Sequence, residues 1–266
     1  MRLALWQGAG VAGDLDGTLA EVARVADMAR QRNADFLVFP EGYLTGYYLP
    51  GLVRGGLPGV EQALAAVAAI AKRHKLAIAM GTHIETTDGL SNAAVVIDAS
   101  GTELGRYAKR ALFGDWERQT FQPGREPLRF QCGGLTVGVA ICYDVEFPEL
   151  MRAEALANVD LVIVPTALMA PHDRIAQLLV PTRAMENQIA IGYANRVGQE
   201  GPYDFVGLSS IRGPQGEPLA TAGAEAQLLV ADIDRQTILN ERAAGSYLEA
   251  LAQLRASFRP RDPALT

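Results

Sequence analysis

Leu135-Thr136-Val137-Gly138-Val139-Ala140-Ile141-Cys142-Tyr143-Asp144 is a short apolar run that ends abruptly in a thiol, a phenol and an acid. The run reads as a buried strand over Leu135 to Ile141. Pro148 follows at a position where a first-turn proline is tolerated, so a helix is expected over Glu149 to Ala157. A second apolar strand, Leu161 to Val164, is closed by Pro165. Strand, helix and strand in this order describe a βαβ unit, whose strands run parallel with a helix covering one face.

The same order continues outward in both directions. Arg174 to Asn187 reads as a helix, Ile189 to Asn195 as a strand, and Pro214-Gln215-Gly216 as the turn of a hairpin. The first half repeats the plan. Leu3 to Gln7 is a strand. Thr18-Leu19-Ala20-Glu21 has the form of a capping box opening a helix with Leu19, Val22, Val25 and Ala26 on one face. Phe36 to Phe39 is a strand stopped by Pro40, Glu61 to His74 a helix, and Leu76 to Met80 a strand. Asn92 to Ile97 and Glu103 to Tyr107 form a hairpin turned at Ser100-Gly101. Two such halves, with no Ser- or Pro-rich linker between them, predict two parallel sheets packed together with helices outside, as one domain over 1–258. An irregular tail is expected over 259–266, carrying Pro260 and Pro263.

The chain has 266 residues, 49% hydrophobic and 20% charged, which suits a globular α/β protein and excludes intrinsic disorder, collagen and coiled coil. Net charge is −6 and no basic stripe occurs, so nucleic acid is not expected as a partner. No stretch reaches the ~18 apolar residues of a membrane span. Met1 to Gln7 is too short for a signal h-region. Two cysteines make no disulfide framework. The expectation is a soluble, cytoplasmic protein.

Ligands of open α/β sheets collect beyond the carboxyl ends of the strands. Glu41 stands there after Phe36 to Phe39, Lys109 after the first hairpin, and Cys142 after Leu135 to Ile141. Cys142 has two readings: an inert buried thiol, or a nucleophile favoured by the positive end of the following helix. Cys132, beside Gly133-Gly134, reads as structural. His74, His83 and His172 show neither a base-partner pattern nor a metal-ligand spacing. Glu41, in Pro40-Glu41-Gly42, is the better base, and a lone Lys109 would read as solvated.

Phe39-Pro40-Glu41, Tyr107-Ala108-Lys109 and Ile141-Cys142-Tyr143-Asp144 resemble, in order and spacing, the three catalytic motifs of the nitrilase, or carbon–nitrogen hydrolase, superfamily. Asn92, Glu117 with Pro123-Gly124, Arg183 to Asn187, Ala194-Asn195-Arg196 and Phe205-x-Gly207-x-Ser209 extend the resemblance over nearly the whole chain. It implies a four-layer αββα sandwich, a catalytic triad of Glu41, Lys109 and Cys142, and a second glutamate, Glu117, that holds Lys109. It implies a homodimer or higher homo-oligomer and no cofactor or metal.

In water, moving a proton from a thiol to a carboxylate costs about 5.7 kcal/mol, from a gap of ~4.2 pKa units at ~1.36 kcal/mol each. The site must therefore raise the acid by burial, and Lys109 and the helix end are expected to lower the thiol. Cys142 would attack an amide carbon and form a thioester, with Lys109 and the Tyr143 N–H holding the oxyanion. Cys142-Tyr143-Asp144 looks like the amidase side of the superfamily. Amidases of dicarboxylate monoamides resemble Cys-Tyr-Asp-x-Arg-Phe, and here Glu146 occupies the arginine position. Either Glu146 faces the pocket and repels a carboxylate, or it complements its own helix. Tyr43, Tyr47, Tyr48, Phe113 and Trp116 wall a small apolar pocket or pack ordinary loops. Tyr47, Trp116, Tyr143, Glu146 and Ala167 are the pocket candidates. The expected substrate is a small neutral primary amide, aliphatic or arylalkyl. Cationic amides, N-carbamoyl amines, ω-amides and nitriles stay open, as do acyl transfer and a purely binding role.

Overall fold

The computed structural model describes residues 1–52, 56–245 and 247–257, so the expected tail over 259–266 lies outside the described residues. Two six-stranded sheets dominate. The first has the order β14 (Gln227–Asp232), β1 (Arg2–Gln7), β2 (Phe36–Val38), β3 (Ala77–Thr86), β4 (Gly89–Ile97) and β5 (Glu103–Ala108). The second has the order β13 (Pro218–Thr221), β12 (Ser210–Arg212), β9 (Ala190–Ala194), β8 (Leu161–Pro165), β7 (Leu135–Val139) and β6 (Arg129–Cys132). A separate ribbon joins β10 (Val197–Glu200) to β11 (Tyr203–Val206).

The alternation of side chains along each strand builds the layers. Leu3 and Leu5 of β1, with Phe36 and Val38 of β2, face Val137 and Val139 of β7 and Leu161 and Ile163 of β8 between the sheets. Ala4, Trp6 and Leu37 point the other way, onto Val22, Val25 and Ala29 of α1 (Leu15–Gln31) and Leu64 and Val67 of α2 (Val60–His74). Val162 and Val164 likewise meet Met151 and Ala155 of α4 (Pro148–Leu156) and Val180 and Ala184 of α5 (Val180–Asn187). The result is the expected αββα sandwich. Gly192 of β9 permits close approach of the sheets, because a Cβ there would lie 2.9 Å from the Leu3 side chain.

Details differ from the sequence reading for identifiable reasons. The sheets are mixed. Their centres, β1-β2-β3 and β7-β8-β9, are parallel, whereas hairpins add antiparallel strands at the edges. Helix α1 starts at Leu15, since the Asp14 carboxylate accepts the Gly17 N–H at 2.9 Å and caps it. Thr18 instead accepts the Val11 N–H through its hydroxyl. The expected helix over Arg174 to Asn187 divides into a π-helical turn, Ile175–Leu179, and α5. Strands β3 and β4 are longer than their apolar runs, because the polar Thr82, His83 and Thr86 continue the ladder to Gly89. The short helix α3 (Gly114–Thr120), the ribbon, α6 (Arg235–Ala243) and α7 (Tyr247–Ser257) lack an apolar period strong enough to announce them.

One backbone approach sets the position of the Glu41 segment. A Cβ on Gly81 of β3 would lie 2.0 Å from the Pro40 carbonyl oxygen and 2.7 Å from the Glu41 Cα. Glycine lets the chain leaving β2 lie directly against its neighbour. Gly81→Ala is expected to lower stability by about 1–3 kcal/mol, the usual range for overpacking, as read by urea denaturation. An unchanged midpoint would show that this approach is not required.

Candidate active site

Three strand ends converge at one edge of the sandwich. Pro40 ends the β2 ladder and Glu41 follows, with Gly42 in a left-handed turn at φ 58°. Lys109 follows β5. Its N–H donates to the Asn92 carbonyl at 2.8 Å, and its carbonyl accepts the Gly124 N–H at 2.8 Å. Only glycine fits at 124, where a Cβ would come within 2.1 Å of the Ala108 carbonyl oxygen. Cys142 begins a single 3-10 turn, Cys142–Glu146, and adopts φ 45°. Positive φ at a residue other than glycine is strained and is held here by its surroundings.

Asp144 supplies that hold. Its buried carboxylate accepts the Ile141 N–H at 2.9 Å, the Ala111 N–H at 2.7 Å, the Arg110 N–H at 3.2 Å and the Tyr107 hydroxyl at 2.8 Å. One carboxylate thus ties the cysteine turn to the segment that carries Lys109. Arg183 closes the other side of the turn, donating to the Val145 carbonyl at 3.0 Å and the Glu146 carbonyl at 2.7 Å.

At the centre Lys109 is fully buried between two fully buried glutamates. Its Nζ lies 2.8 Å from Glu41 Oε1 and 2.7 Å from Glu117 Oε1. Asn92 donates to the same Glu41 oxygen at 2.7 Å, leaving Glu41 Oε2 without a hydrogen-bond partner among the described residues. Glu117, on α3, also accepts the Tyr47 hydroxyl at 2.9 Å and the Phe113 N–H at 2.7 Å. Burial raises the Glu41 pKa more than Lys109 lowers it, and Glu117 raises it further. Burial alone would lower Lys109, but Glu41 and Glu117 outweigh it and fix the ammonium as charged.

Cys142 is only half-buried, and its sulfur accepts the Ala167 N–H. Burial and the Glu41 carboxylate push its thiol up, against the pull of Lys109. The expected lowering of this thiol is therefore not met in the resting site. Helix α4 begins six residues later, at Pro148, too far for its N-terminus to help. Cys132 is pushed up to about 11 by burial and lies away from these groups.

Aromatic rings wall the site. Tyr47 packs on Trp116 with centroids 5.4 Å apart, and on Phe205 of the ribbon at 5.7 Å. Tyr143 packs on Phe113 at 5.3 Å. Tyr43 lies elsewhere, its hydroxyl accepting the Trp6 ring N–H at 3.0 Å behind the first sheet. His83 is buried against Phe121 and held neutral, lowered to about 3 by burial, Arg196 and Lys109. The ribbon's Tyr203 has no chemical signature that sequence alone exposes, and Phe205 and Arg196 stand in the sequence as part of the resemblance with no role attached. Arg196, fully buried, donates to the Glu41 and Gly42 carbonyls at 3.2 and 3.1 Å and pairs with Glu200. Among the described residues no group of three potential ligands is placed to hold a metal ion, and no helix is long and apolar enough to cross a membrane.

A half-buried thiol beside a buried carboxylate–ammonium–carboxylate row, at the edge of an αββα sandwich, defines a class of cysteine-dependent hydrolases. The comparisons with known proteins agree. The carbon–nitrogen hydrolase family model matches residues 2–242, and the chain belongs to that family, the nitrilase superfamily. An amidase from Nesterenkonia sp. has the same fold, with a TM-score of 0.83 at 33% identity over 95% of this chain and 96% of that one. One variant of that amidase, its cysteine replaced by alanine, is in complex with butyramide, and another carries acrylamide added to the active-site cysteine. A Pseudomonas protegens protein named "hydrolase in pqqF 5′ region" is 38% identical over 93% of this chain and 88% of its own length. An (R)-stereoselective amidase of Pseudomonas sp. is 31% identical over 94% and 90%. The protein is thus a hydrolase with a cysteine nucleophile.

Arg196 carries a test of how the site is held. Arg196→Met leaves Glu200 half-buried without its cation and two carbonyls without donors. A loss of about 3–5 kcal/mol in urea denaturation is expected. A change within ~1 kcal/mol would show that the clamp does not hold the Glu41 segment.

Proposed function

We propose that the protein hydrolyses small primary amides to a carboxylic acid and ammonia, with Cys142 as nucleophile and Glu41 as general base and acid. The observation that carries this reading is the division of labour on Glu41. One oxygen is held by Lys109 and Asn92, and the other is free beside a half-buried thiol. A carboxylate held by one oxygen keeps its position while the other gains and releases protons.

The steps follow from the residues present. The thiol proton passes to Glu41 Oε2 as the sulfur attacks the amide carbon. Lys109 has three N–H donors, of which two serve Glu41 and Glu117, so one is left for the oxyanion. The Tyr143 N–H, at the start of a 3-10 turn, has no acceptor within that turn and supplies the second donor. Such donors contribute about 3–4 kcal/mol each to the transition state. Glu41 then protonates the departing nitrogen, leaving ammonia and a thioester. A water that gives its proton to Glu41 attacks the thioester, and the acid and free thiol are released.

The half-buried Tyr143, Phe113 and Trp116, with Tyr47 behind them, suit a neutral aliphatic or arylalkyl acyl group. The butyramide complex of the Nesterenkonia enzyme supports the same size class. Leu156, Leu178 and Met185 are exposed along α4, the π-helical turn and α5, and this face would pair the homo-oligomer. Two unpaired cysteines suit the cytoplasm.

Ammonia release from a panel of primary amides tests the activity. Cys142→Ala is expected to lose at least ~10⁴-fold in kcat with its far-ultraviolet dichroism intact. Wild-type turnover in that variant would overturn the assignment. The pH profile tests the base. Glu41 acts as carboxylate, so activity falls as pH drops through its pKa. Because burial raises that pKa above 4.5, the acid limb of kcat/KM is expected above the ordinary carboxylate range. An acid limb at or below that range would contradict the assignment.

A further inference from the structure

Two buried side chains beside the catalytic row keep unspent hydrogen-bonding atoms. Asn92 of β4 donates through Nδ2 to Glu41 Oε1 at 2.7 Å, but its Oδ1 has no partner among the described residues. His83 of β3 is equally buried, and neither of its ring nitrogens has a partner among the described residues. Leaving a buried polar atom unbonded costs about 1–3 kcal/mol, so folded proteins seldom abandon one.

The two residues are direct partners on the β3–β4 ladder. Ala77 and Ala79 face the space between the sheets, so strand alternation puts His83 on that face as well. Ala94 and Val96 place Asn92 there likewise. Opposed residues on one face of an antiparallel pair have Cβ atoms about 4.5–5.5 Å apart. An imidazole and an amide at that spacing meet directly or across a single water. The ring packs on Phe121 at 4.7 Å and on Trp116 at 6.3 Å, against the helix α3 that carries Glu117. It is neutral, because burial, Arg196 and Lys109 all disfavour its charged form. A neutral imidazole has one N–H donor and one bare nitrogen, and its N–H is what Asn92 Oδ1 lacks.

The two ends of the Asn92 amide are nearly equal in size and opposite in hydrogen bonding. Its N–H end supports the Glu41 carboxylate, whereas its oxygen would repel it. A donor on Oδ1 decides between the two orientations. We infer that His83 is a positioning residue that donates to Asn92 Oδ1 and so keeps the amide N–H on Glu41 Oε1. It acts through Asn92, not on the reacting atoms, and the inference rests on the amidase reading, in which Glu41 is the base.

The test is the acid limb of kcat/KM on a primary amide that the wild type hydrolyses. Burial, Lys109, Glu117 and Asn92 all act on Glu41, and the Asn92 hydrogen bond favours its carboxylate form. Losing that bond raises the Glu41 pKa and moves the acid limb to higher pH. His83→Phe keeps a ring against Phe121 and Trp116 but removes the N–H; His83→Gln keeps a donor and an acceptor. His83→Phe is expected to raise the limb by about 0.5–1 in pH, the equivalent of one hydrogen bond, and to lower kcat more than it changes KM. His83→Gln is expected to return the limb to its wild-type position. Asn92→Ala is expected to raise the limb, and His83→Phe added to Asn92→Ala to move it no further, because residues in one network are not additive. An unmoved limb in His83→Phe, a limb moved equally by Phe and Gln, or shifts that add in the double variant overturn the inference while the amidase reading stands. If His83→Phe does not fold, the nitrogen NMR shifts of the His83 imidazole decide: Asn92→Ala is expected to move the N–H resonance, and an unmoved resonance overturns the inference. No ammonia from any primary amide with the wild type overturns the amidase reading and this inference with it.

Discussion

A single ammonium, Lys109, buried between two carboxylates governs this site. An unpaired charge at full burial is prohibitively costly, so once the fold places Lys109 there, Glu41 and Glu117 must accompany it. Lys109 fixes one oxygen of Glu41 and leaves the other without a partner among the described residues. On the proposed mechanism its remaining N–H serves the oxyanion. Replacing either glutamate with an uncharged residue would leave the ammonium with a single carboxylate, and replacing the lysine would set two carboxylates against each other.

The sandwich makes this row possible. Three strands in two different sheets must end at the same place, so the stacking of the sheets sets the spacing of acid, amine and thiol. Gly81 and Gly192 allow the close approaches on which that depends. Two polar clamps then connect loops with no neighbouring sequence: Asp144 joins the cysteine turn to the lysine segment, and Arg196 joins the glutamate loop to the β10–β11 ribbon. The strained Cys142 backbone persists because Asp144 and Arg183 hold both flanks of its turn.

Much of this was legible in the sequence because burial and periodicity leave plain marks. Leu161 to Val164 alternates between two cores, and so shows as an uninterrupted apolar run. Glu41 and Cys142 are visible because each follows such a run, whereas Lys109 follows the largely polar hairpin strand Glu103–Ala108 and shows only through its motif. What escaped detection is set by contacts between distant segments. Asp14 outcompetes Thr18 as a cap through a single hydrogen bond. Tyr203 and Phe205 reach the wall only because the ribbon folds over it. The thiol's direction of shift depends on the burial around Cys142 and on the effect of Glu41 outweighing that of Lys109, which no spacing along the chain reports.

The proposed mechanism differs from papain-like chemistry, which keeps a thiolate ready beside an imidazolium. Burial and the Glu41 carboxylate push the Cys142 thiol up, so on that proposal proton transfer to Glu41 accompanies attack on the substrate carbon. The direct measurement is the ultraviolet thiolate absorbance of the resting wild type minus that of Cys142→Ala across neutral pH. The account predicts no difference at neutral pH, with thiolate absorbance emerging only well above the ordinary thiol range. A full thiolate band at neutral pH would contradict it.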